Sequence, residues 1–187
     1  MLTVDKIEVK QGPFDVTKAG ALGGSLNVVT KKPQEEFHGE ILGKGGSYDF
    51  WNSGFYLTGG NNKVQGLIGY NYSESDQYED GDGNKLWSFA PGGRPYNADG
   101  MHMKAFEKQD VWGKLQLTPT ENHTILLSHT YGHGEDIMAP RVGMDIEDEK
   151  TYLSKADYII TELGTFSDKL IFSFYRNKVE HLSLIHI

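Results

Sequence analysis

The sequence contains no cysteine, and no stretch of it approaches the roughly 20 consecutive apolar residues that a membrane-spanning helix needs. The first absence excludes disulfide bonds and thiolate metal sites. The second restricts any membrane role to a β-barrel, a peripheral protein or a soluble partner. An excess of basic residues is also lacking, and the net charge of −8 argues against binding to a nucleic-acid backbone.

Glycine and aromatic residues, in contrast, are abundant. There are 23 Gly, 10 Tyr and 9 Phe against 6 Pro, a composition that is typical of short strands, tight turns and aromatic girdles. The mean hydropathy of −0.50 is low. A barrel strand alternates lipid-facing and lumen-facing residues, so its average hydropathy is unremarkable. The composition is therefore compatible with a β-barrel.

The first 33 residues read as two strands joined through glycine-rich turns. The segment Ile7–Val9 alternates apolar and polar residues, and the segment Ser25–Thr30 is β-branched and extended. The following segment, Lys31–Glu36, is polar and contains a proline. It predicts a domain boundary.

Beyond this boundary, runs of about ten residues alternate apolar and polar side chains, as strands do. Strands are predicted near Phe37–Gly46, Asn52–Gly60, Lys63–Glu74, Gln109–Thr118, His123–Gly132, Lys150–Glu162 and Lys169–His181. In the last of them Leu170, Phe172 and Phe174 share one face. An apolar face on each strand fits a lipid-facing barrel wall and equally a half-buried soluble sheet.

The connections between the predicted strands separate these two readings. Long connections, Ser75–Lys108 and His133–Glu149, fall at one end of the sheet. Short turns, at Asn61-Asn62, Pro119–Asn122 and Gly164–Asp168, fall at the other. The first hairpin is the exception, because its connection at Tyr48–Trp51 is also short. Outer-membrane barrels sort their connections in this way, with short periplasmic turns and long extracellular loops.

The most specific signal joins the stretches Ile7–Pro13 and Gly23–Pro33. It resembles the plug-domain signature of TonB-dependent receptors, in which an I/V-E-V strand and a Gly-Pro turn precede Gly-Gly-x-I/L-N-[IV]-[IV]-T-K. The matching positions are Gly12, Pro13, Gly23, Gly24, Asn27 and Thr30. Paired glycines permit backbone conformations and close approaches that other residues do not. Asn27 is expected to be a buried hydrogen-bonding residue.

The resemblance implies an all-β fold. Residues 1–33 would be the C-terminal part of a plug domain, and residues 34–187 the first strands, about seven, of a truncated transmembrane antiparallel β-barrel. The chain would then be a fragment of an active transporter in the outer membrane of a Gram-negative bacterium. Such transporters take up a scarce nutrient (an iron-siderophore, cobalamin, haem or a glycan). The implied partners are the nutrient, outer-membrane lipid and the TonB complex, which acts through a missing N-terminal region. No cofactor is implied.

Two features depart from the expected pattern. Gln11 stands where the family usually has Arg or Lys, and Lys18-Ala19-Gly20 stands where a Tyr-Gly pair is common, which weakens inferences about plug packing. The final segment, Ser183–Ile187, alternates poorly. It is read either as an ordinary strand end or as a short non-native tail.

The long Ser75–Lys108 loop carries the candidate ligand-contacting residues. They are Tyr78, Trp87, Phe89 and Tyr96, since aromatic rings at a loop tip can stack on a bound ligand. The alternative is that these rings pack the loop on itself.

No metal site and no catalytic group is predicted. Asp80–Asn84 resembles part of a calcium loop but lacks the closing glutamate, so a solvated turn is expected. His129 and His133 would share a strand face, but Gly132 is expected to end the strand, so chance placement is favoured over a haem or metal role. The alternative function is a soluble or surface-attached β-sheet module that binds a ligand.

Overall fold

The computed structural model describes residues 2–12, 23–88, 100–164 and 167–185. The chain forms two compact units, Met1–Lys32 and Pro33–Ile187. The division lies one residue before the boundary after Pro33 that the sequence predicts.

The first unit is an antiparallel hairpin of β1 (Val4–Gln11) and β2 (Gly24–Thr30). Gly24 has a φ of 131°, and a Cβ at this position would collide with the carbonyl oxygen of Lys10 on the opposite strand. A Cβ at Gly23 would meet nothing within 4 Å. Of the paired glycines, therefore, Gly24 is the one that the backbone requires.

Asn27 makes the expected hydrogen bond but is exposed, so its predicted burial is wrong. Its Nδ2 donates to Oε2 of Glu8, directly opposite on β1, at 3.0 Å. Lys6 Nζ lies 2.7 Å from the other Glu8 oxygen. Hydrogen bonds from Lys6 and then Asn27 lower the pKa of Glu8 below its ordinary value. Asn27 is not buried because the described hairpin has only two strands, which leave even apolar neighbours such as Leu26 exposed.

The second unit is one antiparallel sheet of seven strands, each paired with the next along the chain. The strands are β3 (His38–Gly45), β4 (Trp51–Gly60), β5 (Val64–Ser75), β6 (Phe106–Thr120), β7 (His123–Ala139), β8 (Met144–Thr161) and β9 (Lys169–Ile185). Short 3-10 turns lie at Leu86–Ser88, Gly100–His102 and Pro140–Val142. Within the described ranges, no helix is long and apolar enough to cross a membrane. The predicted all-β fold is confirmed, and the sheet is open, with β3 and β9 at its edges.

The β7–β8 hairpin differs from the sequence prediction. In place of a long loop at His133–Glu149, β7 continues to Ala139 and β8 begins at Met144, which leaves a short turn. Gly132 does not end the strand, because it pairs with Thr151 in the middle of the sheet. A glycine that has neighbouring strands on both sides is held extended by their hydrogen bonds despite its own weak strand propensity.

The last strand is also longer than predicted. β9 runs past His181, and Ser183 and Leu184 pair with Ile146 and Asp145 of β8. The poorly alternating segment therefore belongs to the sheet as far as Ile185, and residues 186–187 lie outside the described ranges.

The two faces of the sheet differ in character. The register places alternate apolar residues of neighbouring strands on one face, the outer face. Exposed side chains on this face include Ile41, Phe55, Leu57, Val64, Ile68, Val111, Leu115, Leu127, Tyr158, Leu170, Phe172 and Phe174. The predicted sharing of one face by Leu170, Phe172 and Phe174 is confirmed. Soluble monomers rarely leave a contiguous apolar surface of this extent in water.

The opposite, inner face carries the tightest packing of β4, β5 and β6. Tyr56 and Trp112 are 4% and 5% exposed. Both pair with Gly69, which lies between them on β5. The Trp112 ring lies over Gly69, and a Cβ there would collide with the ring. Glycine is therefore required at this position for close packing.

The first prediction follows from this packing. Gly69→Ala should destabilise the sheet by about 1–3 kcal/mol, because the large Trp112 ring must move to admit a methyl group. The measurement is thermal unfolding of the chain in detergent micelles, followed by tryptophan fluorescence. Gly66→Ala is the matched control on the same strand, since its Cβ would meet nothing within 4 Å. Equal stability of the two variants would contradict the packing role.

Candidate ligand-binding loop

The connection from β5 to β6 spans residues 76–105, of which 76–88 and 100–105 are described. Its C-terminal end is tied to the sheet through the main chain. The Ala105 N–H donates to the carbonyl oxygen of Ser75 at 2.9 Å, and the Met138 N–H donates to that of Ala105 at 3.0 Å. The loop thus leaves and rejoins the sheet beside β7.

An ion-pair cluster holds the same end of the loop. Lys104 contacts Glu74 at the end of β5, and its Nζ lies 2.8 Å from Oε2 of Glu107 near the start of β6. The Glu107 carboxylate, followed by that of Glu74, raises the pKa of Lys104 above its ordinary value. These side chains are partly exposed, so each pair contributes at most about 1 kcal/mol.

Gln77 links the two described parts of the loop. Its side chain is buried, and its Nε2 donates to the carbonyl oxygens of Gly100 at 2.6 Å and Met103 at 2.8 Å. Its Oε1 accepts the N–H of Trp87 at 3.0 Å. One amide thereby satisfies three main-chain groups from separate parts of the loop.

A small apolar cluster fixes the loop against the end of β7. Leu86, Ala105 and Met138 are buried together, and Trp87 and Phe106 pack against them. Because Met138 belongs to β7, this cluster depends on the extended β7–β8 hairpin. Trp87 thus packs the loop on itself, as one of the two sequence interpretations expected.

The acidic segment Asp80–Asn84 forms a closed turn. Oδ1 of Asp80 accepts the N–H groups of Asp82 and Asn84, each at 2.9 Å, and Oδ2 accepts Nδ2 of Asn84 at 3.0 Å. Gly83 adopts a φ of 83°, which glycine tolerates. Donation from Asn84, first by its side chain, lowers the pKa of Asp80 below its ordinary value. The carboxylate is thus engaged by donors of its own turn.

An open cleft of about 450 Å³ lies between this turn and the β7–β8 connection. Its lining comprises Tyr78, Asp80, Asn84, Lys85, Leu86, Pro140 and Arg141. Tyr78 is 57% exposed. Asp80 is engaged within its turn, and Lys85 Nζ lies 3.9 Å from Oε1 of Glu79. The cleft therefore presents a ligand with an aromatic ring, the paired cation Lys85 and the cation Arg141. Such a combination suits an anionic aromatic ligand.

The other residues singled out in the sequence lie in other parts of the chain. Gly12, Gly23, Gly24, Asn27 and Thr30 lie in the first unit, remote in sequence from the loop. Pro13, Phe89 and Tyr96 lie outside the described residues. Tyr78 and Trp87 are thus the two loop aromatics that the structure places, one on the cleft and one in the apolar cluster.

A further cluster was missed from the sequence. His133 lies with Glu135 and Asp148, and one ligand atom from each lies within 4.8 Å of the other two. The prediction that β7 ends at Gly132 placed these three groups in a loop. An uninterrupted β7–β8 hairpin would have placed them on one face. His129 lies on that same face, but its Nδ1 contacts Ser154 Oγ at 2.9 Å.

The ferripyoverdine receptor of Pseudomonas aeruginosa is 33% identical to the chain over 87 residues, which cover 42% of this chain and 11% of that receptor. The structure of the copper transporter OprC matches 97% of this chain and 26% of its own, with a TM-score of 0.76 and 24% identity. The chain resembles the TonB-dependent outer-membrane receptors.

Further receptors share the fold at lower identity. The siderophore receptor PirA from Acinetobacter baumannii matches 97% of this chain and 31% of its own, with a TM-score of 0.52 and 18% identity. A mutant of the ferric enterobactin receptor PfeA from Pseudomonas aeruginosa, in complex with enterobactin, matches 91% and 32%, with a TM-score of 0.50 and 14% identity. No family model matches the chain. These proteins are receptors and transporters rather than enzymes, and the chain spans a third of their length or less.

The second prediction concerns Gln77. Gln77→Leu should loosen the β5–β6 loop. Each main-chain group that is left buried without its hydrogen-bond partner lowers the stability of the folded loop by about 1–3 kcal/mol. Limited proteolysis should cleave the loop faster, and amide exchange at Trp87 should accelerate. Gln65→Leu is the control, since Gln65 makes one long side-chain contact, at 3.4 Å, with Gln116. Unchanged protease resistance in Gln77→Leu would contradict the anchoring role.

Proposed function

We propose that this chain is part of a TonB-dependent active transporter in the outer membrane of a Gram-negative bacterium. The observation that carries the proposal is the exposed apolar outer face of the seven-stranded sheet. Lipid satisfies such a face, whereas water does not. Antiparallel pairing between neighbours also satisfies the main chain internally, as a membrane-spanning sheet requires.

The connections support a defined orientation. The connections β3–β4, β5–β6 and β7–β8 lie at one end of the sheet, and β4–β5, β6–β7 and β8–β9 lie at the other. The long β5–β6 connection, residues 76–105, which we call the Gln77 loop, belongs to the first set. The length of this one loop carries the assignment, since the β3–β4 and β7–β8 connections are short. Outer-membrane barrels place their long loops outside the cell, so we assign the first set to the exterior.

We assign residues 1–33 to the end of the plug and residues 34–187 to the first part of the barrel wall. Gly24 supports the plug assignment, because the signature glycine lies where the β1–β2 hairpin has no room for a side chain. The TonB complex is the proposed energy-coupling partner, and outer-membrane lipid contacts the outer face. Further strands would pair with β3 and β9 to close the wall.

The transported ligand is proposed to be a scarce nutrient, with an iron-siderophore as the favoured class. Support comes from the cleft on the external end of the sheet, where Tyr78 lies with Lys85 and Arg141. Anionic iron chelates with aromatic groups match that chemistry. The ferripyoverdine receptor and the ferric enterobactin receptor are named for ligands that contain iron.

The third prediction tests the membrane assignment. Phe172→Arg, on the outer face of β9, should destabilise the protein by about 2–4 kcal/mol if the position lies near the bilayer midplane. The reason is that lipid cannot solvate the guanidinium. The measurement is the yield of the membrane-inserted, heat-resistant form of the longer protein that contains this chain.

Asn177→Arg is the matched control. Asn177 is an exposed, polar residue on the inner face of the same strand, opposite Leu153, so an added cation there meets no lipid. The proposal predicts normal insertion of this variant. Equal insertion of Phe172→Arg and Asn177→Arg would instead favour the soluble ligand-binding module, whose sheet has no lipid-facing side.

A further inference from the structure

Three ligand-type side chains converge on the β7–β8 hairpin. Nε2 of His133 lies 2.7 Å from Oδ1 of Asp148 and 3.1 Å from Oε1 of Glu135. Glu135 and Asp148 are direct cross-strand partners, and His133 lies two residues before Glu135 on the same face. The arrangement therefore belongs to paired strands, which hold their side chains more rigidly than a loop does.

The spacing of these atoms suits a small cation. A tetrahedral zinc ion lies about 2.0 Å from nitrogen and oxygen ligands, which keeps neighbouring ligand atoms about 3.3 Å apart. The distances from His133 Nε2 to the two carboxylates are shorter than this by a few tenths of an ångström. Small side-chain rotations would admit the ion, and the exposed side of Glu135 leaves a fourth position for water.

The second ring nitrogen of His133, Nδ1, also has a hydrogen-bond partner. Gln109, the partner of His133 on β6, places its side-chain Nε2 3.0 Å from Nδ1, and the His133 side chain is 13% exposed. A metal-binding histidine usually has its second ring nitrogen fixed in this manner. As placed, the Gln109 amide nitrogen donates to Nδ1, and Nε2 carries the imidazole proton toward Asp148. Metal binding at Nε2 requires the Gln109 amide to turn by 180°, so that its oxygen accepts a proton from Nδ1 and the Nε2 lone pair becomes free.

Lys150 forms an ion pair with one carboxylate of the cluster. Its Nζ lies 2.6 Å from Oδ2 of Asp148. It occupies the carboxylate oxygen that faces away from His133 and leaves Oδ1 directed at the imidazole. Two carboxylates against one ammonium leave the cluster with an excess of negative charge, which favours a divalent ion.

We propose that His133, Glu135 and Asp148 form a binding site for a divalent transition-metal ion of the zinc class, with Gln109 as a positioning residue. One imidazole nitrogen and two carboxylate oxygens are ligands that Zn²⁺ accepts, whereas Mg²⁺ and Ca²⁺ prefer oxygen alone. The site needs only β6, β7 and β8. It lies on the outer face toward the β7–β8 turn, which is at the end of the sheet assigned above to the exterior.

The fourth prediction tests this site by calorimetric titration of Zn²⁺ into the EDTA-treated full chain in detergent micelles. One ion should bind per chain, and Co²⁺ in its place should give the visible absorption of a low-symmetry site. His133→Gln and Asp148→Asn, both close in size to the native residues, should each weaken Zn²⁺ binding by about tenfold or more. Circular dichroism confirms that each variant keeps its strands.

The matched control is His129→Gln. His129 lies on the same strand and the same outer face, but its contact is with Ser154 and not with the cluster. This variant should bind Zn²⁺ as the unmodified chain does. No binding by the unmodified chain, equal loss in His129→Gln and His133→Gln, or displacement of Zn²⁺ by millimolar Mg²⁺ would each overturn the proposal.

Discussion

Backbone hydrogen bonds between successive strands hold β3 to β9 in a single sheet, and the other features of this chain depend on them. Each inner strand has a partner on both sides, so its N–H and C=O groups need no water. In a bilayer this condition decides which structures can span. The two edge strands, β3 and β9, have a partner on one side within this sheet. In our account, further strands of a longer receptor supply the other side.

Consecutive antiparallel pairing also explains how the two faces and the two ends acquire different roles. The period of two residues along each strand puts apolar side chains on the outer face, and Gly69 between Tyr56 and Trp112 on the inner face. The same pairing sends every second connection to one end. The Gln77 loop and the turn that carries Arg141 therefore meet there and enclose a cleft.

Much of this arrangement could be predicted from the sequence, because alternation of apolar residues identified all seven strands and which side Phe172 faces. The end of the β7–β8 hairpin that carries Glu135 and Asp148 could not be predicted, because its glycines and charged residues have the composition of a loop. Its strands persist because each is paired along its length with a neighbour. The anchoring role of Gln77 could not be recognised from the sequence either, because its hydrogen-bond partners are main-chain groups far apart in the loop.

The most direct test of the account is the sidedness of the sheet. A short epitope is inserted at Asn84, in the proposed external loop, or at Asn62, in the proposed periplasmic turn of the longer protein. Antibody should label intact cells that carry the Asn84 epitope. It should label cells that carry the Asn62 epitope only after the outer membrane is permeabilised. The reverse pattern, or equal labelling of both on intact cells, would contradict a sheet that crosses the membrane in this orientation.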